Sequence, residues 1–332
     1  MTDSSRPRFD LVSLGESMLR FSVPTGRRLK DARQLDVEVG GAESNVLVAV
    51  SQLGWRCGWV GRLPDTALGD IVLRVLRSDG VDISAVKRVS GERIGTFYIE
   101  YATAPRSIQV VYDRADSAAA RMTIADVDWD YLLDTRVLHL TGITPALSDN
   151  CYALVAEAIR RARAAGVTVS FDVNYRGKLW GAAEAGERLR PLLADADLLL
   201  CKGADAALLF GCRGEPRELM TALKKLTRAE VLYCTFGERG AALLDGDDFA
   251  AEPALPVQII DRIGSGDAFA AGVLDAWLEA SPGADLKAMR RAGLRRGVAL
   301  AAIALSQYGD RLLTNRAELE SVMAQERRDI VR

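Results

Sequence analysis

The stretch Asp261-Arg262-Ile263-Gly264-Ser265-Gly266-Asp267 gathers residue types suited to moving a phosphoryl group. Gly264, Ser265 and Gly266 leave backbone N–H groups uncovered at the start of a helical pattern, where donor groups and the helix dipole can hold anionic oxygens. A phosphoryl group in flight accumulates charge on such oxygens. The Asp267 carboxylate at the same place can accept a proton from an attacking hydroxyl. The same letters also fit a plain helix N-cap, with Asp267 only capping. No GxxxxGK[ST] occurs, so the turn is not a P-loop.

Other polar groups could complete such a site. Gly40-Gly41 precedes a helical run carrying Asn45. Glycine permits close approach of a ligand to backbone, and an amide offers donors and an acceptor to a polyol, although a turn with a helix start reads the same way. Arg114, in Tyr112-Asp113-Arg114, and Arg176, in Asp172-Val173-Asn174-Tyr175-Arg176, come from different segments and could converge on one carboxylate. The alternative is surface pairing with Asp113, Asp116 or Asp172. Tyr98 and Tyr112 could stack on or bond a sugar, while alternating aromatics also suit a half-buried sheet. The lone His139 makes a His-based triad or multi-His metal site unsupportable and reads best as a satisfied buried imidazole.

The elements that must position these groups alternate. Strands are predicted at Leu11–Leu14, Val137–Leu140, Val167–Phe171, Leu198–Cys201, Val231–Thr235 and Ala241–Leu244, and Val257–Ile260 also reads as strand-like. Helices are predicted at Glu43–Leu53, Asn150–Ala165, Asp267–Ala280 and Leu286–Gln307. The expected fold is α/β, with three layers: a mostly parallel central sheet and helices on both faces. Leu19–Val39 and Thr96–Tyr112 break the alternation. They read as a small β-sheet lid over the carboxyl ends of the strands, the second as a hairpin turning near Ala104-Pro105. One domain is expected over 1–332, with lid inserts at about 17–39 and 94–114.

The chain has 332 residues, 49% hydrophobic and 27% charged, which supports a full core. Its net charge of −2 argues against nucleic-acid and membrane-surface partners. No apolar run reaches bilayer length, and the polar N-terminus lacks a signal-peptide core. Five cysteines without a CxxC pair suit reduced thiols in a cytoplasmic protein. The arginine-rich runs at 290–296 and 327–332 read as solvated helix faces. An exposed lid edge invites a second copy, so a homo-oligomer through the lid sheet is expected.

Together, in this order, Gly40-Gly41…Asn45 and Asp261…Asp267 resemble the two signature regions of the ribokinase-like (PfkB) carbohydrate kinases. The resemblance extends from Leu14-Gly15-Glu16 to Gly309-Asp310. The Arg114 and Arg176 segments, Gly309-Asp310 and the Asp-Arg-Ile-Gly form of the motif are similar to the 2-keto-3-deoxygluconate kinases. The resemblance implies ATP and Mg2+, Asp267 as catalytic base and Gly264–Gly266 as anion hole. It implies a sugar-acid substrate at Gly40, Gly41, Asn45, Tyr98, Tyr112, Arg114 and Arg176. It places Asn174, Lys202, Thr235, Gly237 and Gly240 on the ATP side with Gly264 and Gly266, and a monovalent cation such as K+ at Asp261 and Ile263. Where the family often has Asn-x-x-Glu, this chain has Lys202-Gly203-Ala204-Asp205, so Asp205 is the expected Mg2+ carboxylate. A kinase for a neutral ketose or nucleoside, or a non-catalytic sugar or nucleotide sensor, is the competing reading.

Overall fold

The computed structural model describes residues 6–102, 105–280 and 283–324. Short runs that are apolar on both sides form a nine-stranded sheet, in the order Asp248–Glu252, Ala241–Asp245, Val231–Thr235, Leu198–Lys202, Thr168–Asp172, Thr135–Thr141, Phe9–Leu14, Cys57–Val60, Val81–Asp82. From Val231–Thr235 onward the pairings are parallel, and the first two strands add an antiparallel edge. Burial on both faces explains the near-continuous hydrophobic composition of the parallel strands. Leu138, Leu140, Val169 and Phe171 pack into one apolar layer. Leu11, Val137, Leu198 and Leu200 turn into the other, with helices Ala42–Gln52, Ser265–Glu279 and Leu286–Leu305. The three-layer expectation therefore holds.

The two irregular segments build a four-stranded sheet in the order Asp36–Gly40, Met18–Val23, Thr96–Glu100, Gln109–Asp113. The last two strands form the expected antiparallel hairpin, with Phe97 opposite Tyr112. Ala104 of its turn lies outside the described residues, as does the run 327–332. One face carries Met18, Phe97, Ile99 and Tyr101, buried together. The other carries a cross-strand row, Val37–Phe21–Tyr98–Val111.

Three local expectations differ from the structure. Val257–Ile260 pairs with no strand: it is a partly exposed segment, held by the Ile260 N–H on the Leu305 carbonyl at 2.8 Å. Its isoleucines remain exposed to solvent instead of joining the sheet. The arginines of helix Leu286–Leu305 are only in part a solvated face: Arg291 and Arg295 are exposed, while two others are drawn in. Arg290 reaches Asp245 at 2.6 Å and Arg296 reaches Asp275 at 2.6 Å, both half-buried. His139 is buried with Nδ1 3.0 Å from the Ser170 hydroxyl, but Nε2 has no partner among the described residues, so the imidazole is only half satisfied. Burial pushes its pKa down to about 3 and keeps it neutral.

Candidate active site

The carboxyl ends of adjacent parallel strands deliver Thr141, Asp172, Lys202 and Thr235 in spatial order. Helix Ser265–Glu279 points its N-terminus into the same region. Its N-cap is Gly264, at φ 83, a left-handed conformation that a side chain would strain. A Cβ there would also lie 2.3 Å from the Asp310 carbonyl oxygen. No side chain caps this helix, and its first internal bond is Ala268 N–H to the Gly264 carbonyl. The N–H groups of the first turn are therefore available to an anion. Asp267 does not cap. Its Oδ2 accepts from Asn45 Nδ2 at 2.8 Å, which joins the two sequence segments directly. Burial raises the Asp267 pKa above its usual range, against the hydrogen bond from Asn45 and the charges of Arg176 and Lys202.

Gly40 and Gly41 owe their small size to protein neighbours. A Cβ on Gly41 would lie 2.2 Å from the Glu16 carbonyl oxygen, and one on Gly40 would lie 2.5 Å from the Asp310 carboxylate. The close approach expected of a ligand is here one of chain to chain.

A small cavity of about 50 Å³ is lined by Gly40, Asn45, Tyr112, Arg114, Arg176 and Asp267 among others. It adjoins a larger one of about 680 Å³ that shares Tyr112, Arg114 and Arg176 as wall. Six of the residues expected at the sugar thus face one cleft. Tyr98 does not: the pleat turns it to the opposite face of the lid sheet, stacked 5.2 Å from Phe21, while its neighbour Phe97 points into the cleft. The period-2 alternation of a strand decides this once Tyr112 is known to face inward.

Arg114 is buried, but neither Asp113 nor Asp116 nor Asp172 holds it. Its Nε donates to Glu16 Oε2 at 2.8 Å, Nη2 donates to the same oxygen, and Ser117 Oγ donates to Glu16 Oε1 at 2.6 Å. Among the described residues, Arg176 hydrogen-bonds only within its own loop, through Nη1 to the Tyr175 carbonyl at 3.3 Å. Its guanidinium therefore retains most of its donors for a ligand. Glu43, also unanticipated, accepts from the Thr141 and Thr144 hydroxyls at 2.7 and 2.6 Å, and burial raises its pKa.

On the other side of the cleft, Lys202 is exposed at the N-cap of helix Gly203–Phe210. Asp205 Oδ2 is a buried carboxylate oxygen without a partner among the described residues. Asp172 binds the Asn174 N–H at 3.1 Å, and burial with the nearby Asp267 charge pushes its pKa up to about 7, opposed by Lys202. Asn174 sits at φ 37, an uncommon backbone for a residue other than glycine. Thr235 leads into the exposed turn Gly237–Arg239, closed by the Phe236 N–H on the Gly240 carbonyl at 2.8 Å.

The monovalent-cation expectation meets an obstacle. The Asp261 carboxylate is fully buried and engaged by protein donors: Arg20 Nη2 at 2.8 Å, the Tyr101 hydroxyl, and the Ile263 N–H at 3.0 Å. That side chain has little charge and acceptor capacity left for a bound cation.

The profile of the pfkB family of carbohydrate kinases matches residues 8–316. The chain belongs to the pfkB family. It is a carbohydrate kinase, and the enzyme class that goes with the family is an ATP-dependent sugar kinase. It is 34% identical to a 2-dehydro-3-deoxygalactonokinase of Haloferax volcanii over 95% of this chain and 96% of that one. It is 31% identical to a 2-dehydro-3-deoxygluconokinase of Bacillus subtilis over 96% and 97%. Its fold is similar to the crystal structure of the 2-dehydro-3-deoxygluconokinase of Thermotoga maritima, with a TM-score of 0.88, 28% identity and coverage of 96% and 99%. Among the described residues, no helix is long and apolar enough to cross a membrane.

Proposed function

We propose that this kinase transfers the γ-phosphoryl group of ATP to the primary hydroxyl of 2-keto-3-deoxygluconate, giving the 6-phosphate. The observation that carries the reading is Arg176: a guanidinium with most of its donors uncommitted, on the wall of a cleft that ends at Asp267. A fork of that kind pairs with a carboxylate in bidentate fashion. A neutral sugar would leave it no hydrogen-bonded anion, only the through-space charges of Asp172, Asp205 and Asp267. Arg114, held in place by Glu16, presents a second cation to the same cleft. The names of the similar kinases, which differ in the gluco or galacto epimer, agree with a keto-deoxy acid.

The primary hydroxyl lies against Asp267, which takes its proton as the oxygen attacks the γ-phosphorus in line. Asn45 fixes the carboxylate for that transfer. N–H groups at Gly264, Ser265 and Gly266 hold the charge that grows on the transferred oxygens. The lid strands, with Phe97 and Tyr112 facing inward, exclude the water that would otherwise take the phosphoryl group. Asn174, Lys202, Thr235 and the turn at Gly237–Gly240 receive the nucleotide.

Among the described residues, no group of three or more His, Cys, Asp or Glu side chains could hold a metal unaided. This suits Mg2+, which keeps waters and is commonly held by substrate phosphates with one or two carboxylates. The unpartnered oxygen of Asp205 would supply one such carboxylate. Bound there with ATP, Mg2+ would neutralise phosphate charge.

The deciding experiment is a coupled ADP-release assay with MgATP and 2-keto-3-deoxygluconate, its galacto epimer, fructose, ribose and adenosine. Turnover confined to the keto-deoxy acids is expected. Turnover of fructose or ribose at comparable kcat/KM would discard the carboxylate role of the arginines.

The partner is a second copy of the chain, through the lid sheet. Val37 and Val111 close the ends of the outward apolar row and are 49% and 52% exposed. Sedimentation velocity should show a dimer or larger species that Val111→Glu shifts to monomer; a wild-type monomer at micromolar concentration would remove this interface.

A further inference from the structure

One buried ionic cluster abuts the anion-hole turn and has no part in the mechanism above. Arg20 lies in the lid strand Met18–Val23 with 1% of its side chain exposed. Nη2 binds Asp261 at 2.8 Å, Nη1 binds Asp310, and Nε lies 3.4 Å from Glu38. Asp261 opens the phosphoryl-transfer motif, and its second oxygen orders the backbone that follows through the Ile263 N–H. Asp310 is wedged between the two glycine segments: Cβ atoms on Gly40 and Gly264 would each collide with it. One guanidinium thus ties the lid to the two loops that back the turn. The Asp261 carboxylate already accepts from three protein donors, one of them the Arg20 guanidinium, which leaves it little capacity and little charge for a cation. A cation placed there would also meet the fixed charge of Arg20.

We propose that Arg20 supplies, from the lid sheet, the positive charge that the family resemblance assigns to a monovalent cation beside this turn, so that phosphoryl transfer here runs without potassium. Arg20 touches neither substrate nor reacting atoms in this arrangement; it is a positioning residue. Its planar, delocalised charge suits two carboxylates at fixed angles better than a mobile ion does. Because it belongs to the lid, the charge and the shape of the anion hole are set by the same strand that shapes the cleft. The proposal rests on the kinase reading of this site.

The test replaces KCl with choline chloride at constant ionic strength in the wild-type protein, measuring ADP release with whichever sugar of the panel is turned over. Rates in the two salts should agree within about twofold. A fall of about tenfold or more in choline chloride, equivalent to losing one charge-assisted contact, overturns the proposal. Thermal unfolding in the same salts needs no substrate. Equal midpoints support the proposal, and a potassium-specific rise overturns it even if no sugar in the panel reacts, an outcome that would count separately against the substrate reading. Arg20→Ala supplies a second arm. Its kcat in choline chloride should fall about tenfold or more and recover in part with KCl or millimolar guanidinium, whereas Arg20→Lys should keep more of the rate. A folded Arg20→Ala protein with wild-type kcat in choline chloride would also sink the idea.

Discussion

The two sides of the cleft are built differently. On the side proposed for the sugar, Asn45, Arg114 and Asp267 are buried, and each is tied to another side chain before any ligand arrives. On the side proposed for the nucleotide, Lys202 and the turn Gly237–Arg239 are exposed. A small hydroxylated acid offers few contacts, so its recognition depends on groups fixed in advance, whose burial is tolerable because they satisfy one another. A nucleotide triphosphate brings its own charge and can be held by backbone N–H groups and helix ends. The difference predicts that single side-chain changes hurt far more on the first side than on the second.

The largest effect should come from Asp267→Asn. The amide can still accept from Asn45, so circular dichroism and sugar KM should stay near wild type. Losing the base should lower kcat roughly 10²–10⁴-fold. A kcat within a factor of a few of wild type would remove Asp267 from its role and weaken the contrast at its centre.

Arg176→Gln should come next. It removes a charge-assisted fork and should raise KM for a keto-deoxy acid by about 10–100-fold while leaving KM for ATP within about twofold. An equal rise in both constants would mean that Arg176 serves the phosphates, and the division between the sides would move. Lys202→Met probes the other side. Its charge is solvent-screened, so KM for ATP should rise only about two- to fivefold, with sugar KM unchanged. A hundredfold loss would show that the nucleotide side is as dependent on a fixed charge as the sugar side.

The sequence was legible where function is written in local order. Gly264-Ser265-Gly266-Asp267 had to open a helix, and Asn45 had to lie in the first turns of another; only their meeting at 2.8 Å needed the structure. The α/β alternation was equally plain, because parallel strands buried on both faces are short apolar runs. What stayed hidden were partners far apart in the chain. Glu16 meets Arg114 across 98 positions, and Arg20 meets Asp310 across 290, with no pattern in either neighbourhood to announce the pair. Tyr98 was misplaced because composition names a strand's aromatics without saying which face is inward. Val257–Ile260 was misread because apolar β-branched letters suit a strand yet do not by themselves supply a strand to pair with, and its isoleucines stay exposed.

The smallest expected effect tests the seam between the two sides. Asp172 ends its strand between Asn174 and Lys202, with its pKa pushed up to about 7 by burial and by the Asp267 charge. In the unfolded chain it would titrate near 3.9. Between those values the folded protein holds a proton that the unfolded chain has released, so this group's contribution to stability is present at low pH and is lost as pH rises through about 7. Asp172→Asn cannot titrate and should escape that loss. The midpoint of thermal unfolding of the variant should therefore exceed that of wild type by about 2 °C more at pH 8 than at pH 5. Asp310, raised to about 7 as well, is present in both proteins and cancels from the difference. A difference that is the same at both pH values would mean that Asp172 keeps an ordinary carboxylate pKa. The seam would then be as open to water as the nucleotide turn, and the buried side of the cleft would end at Asp267.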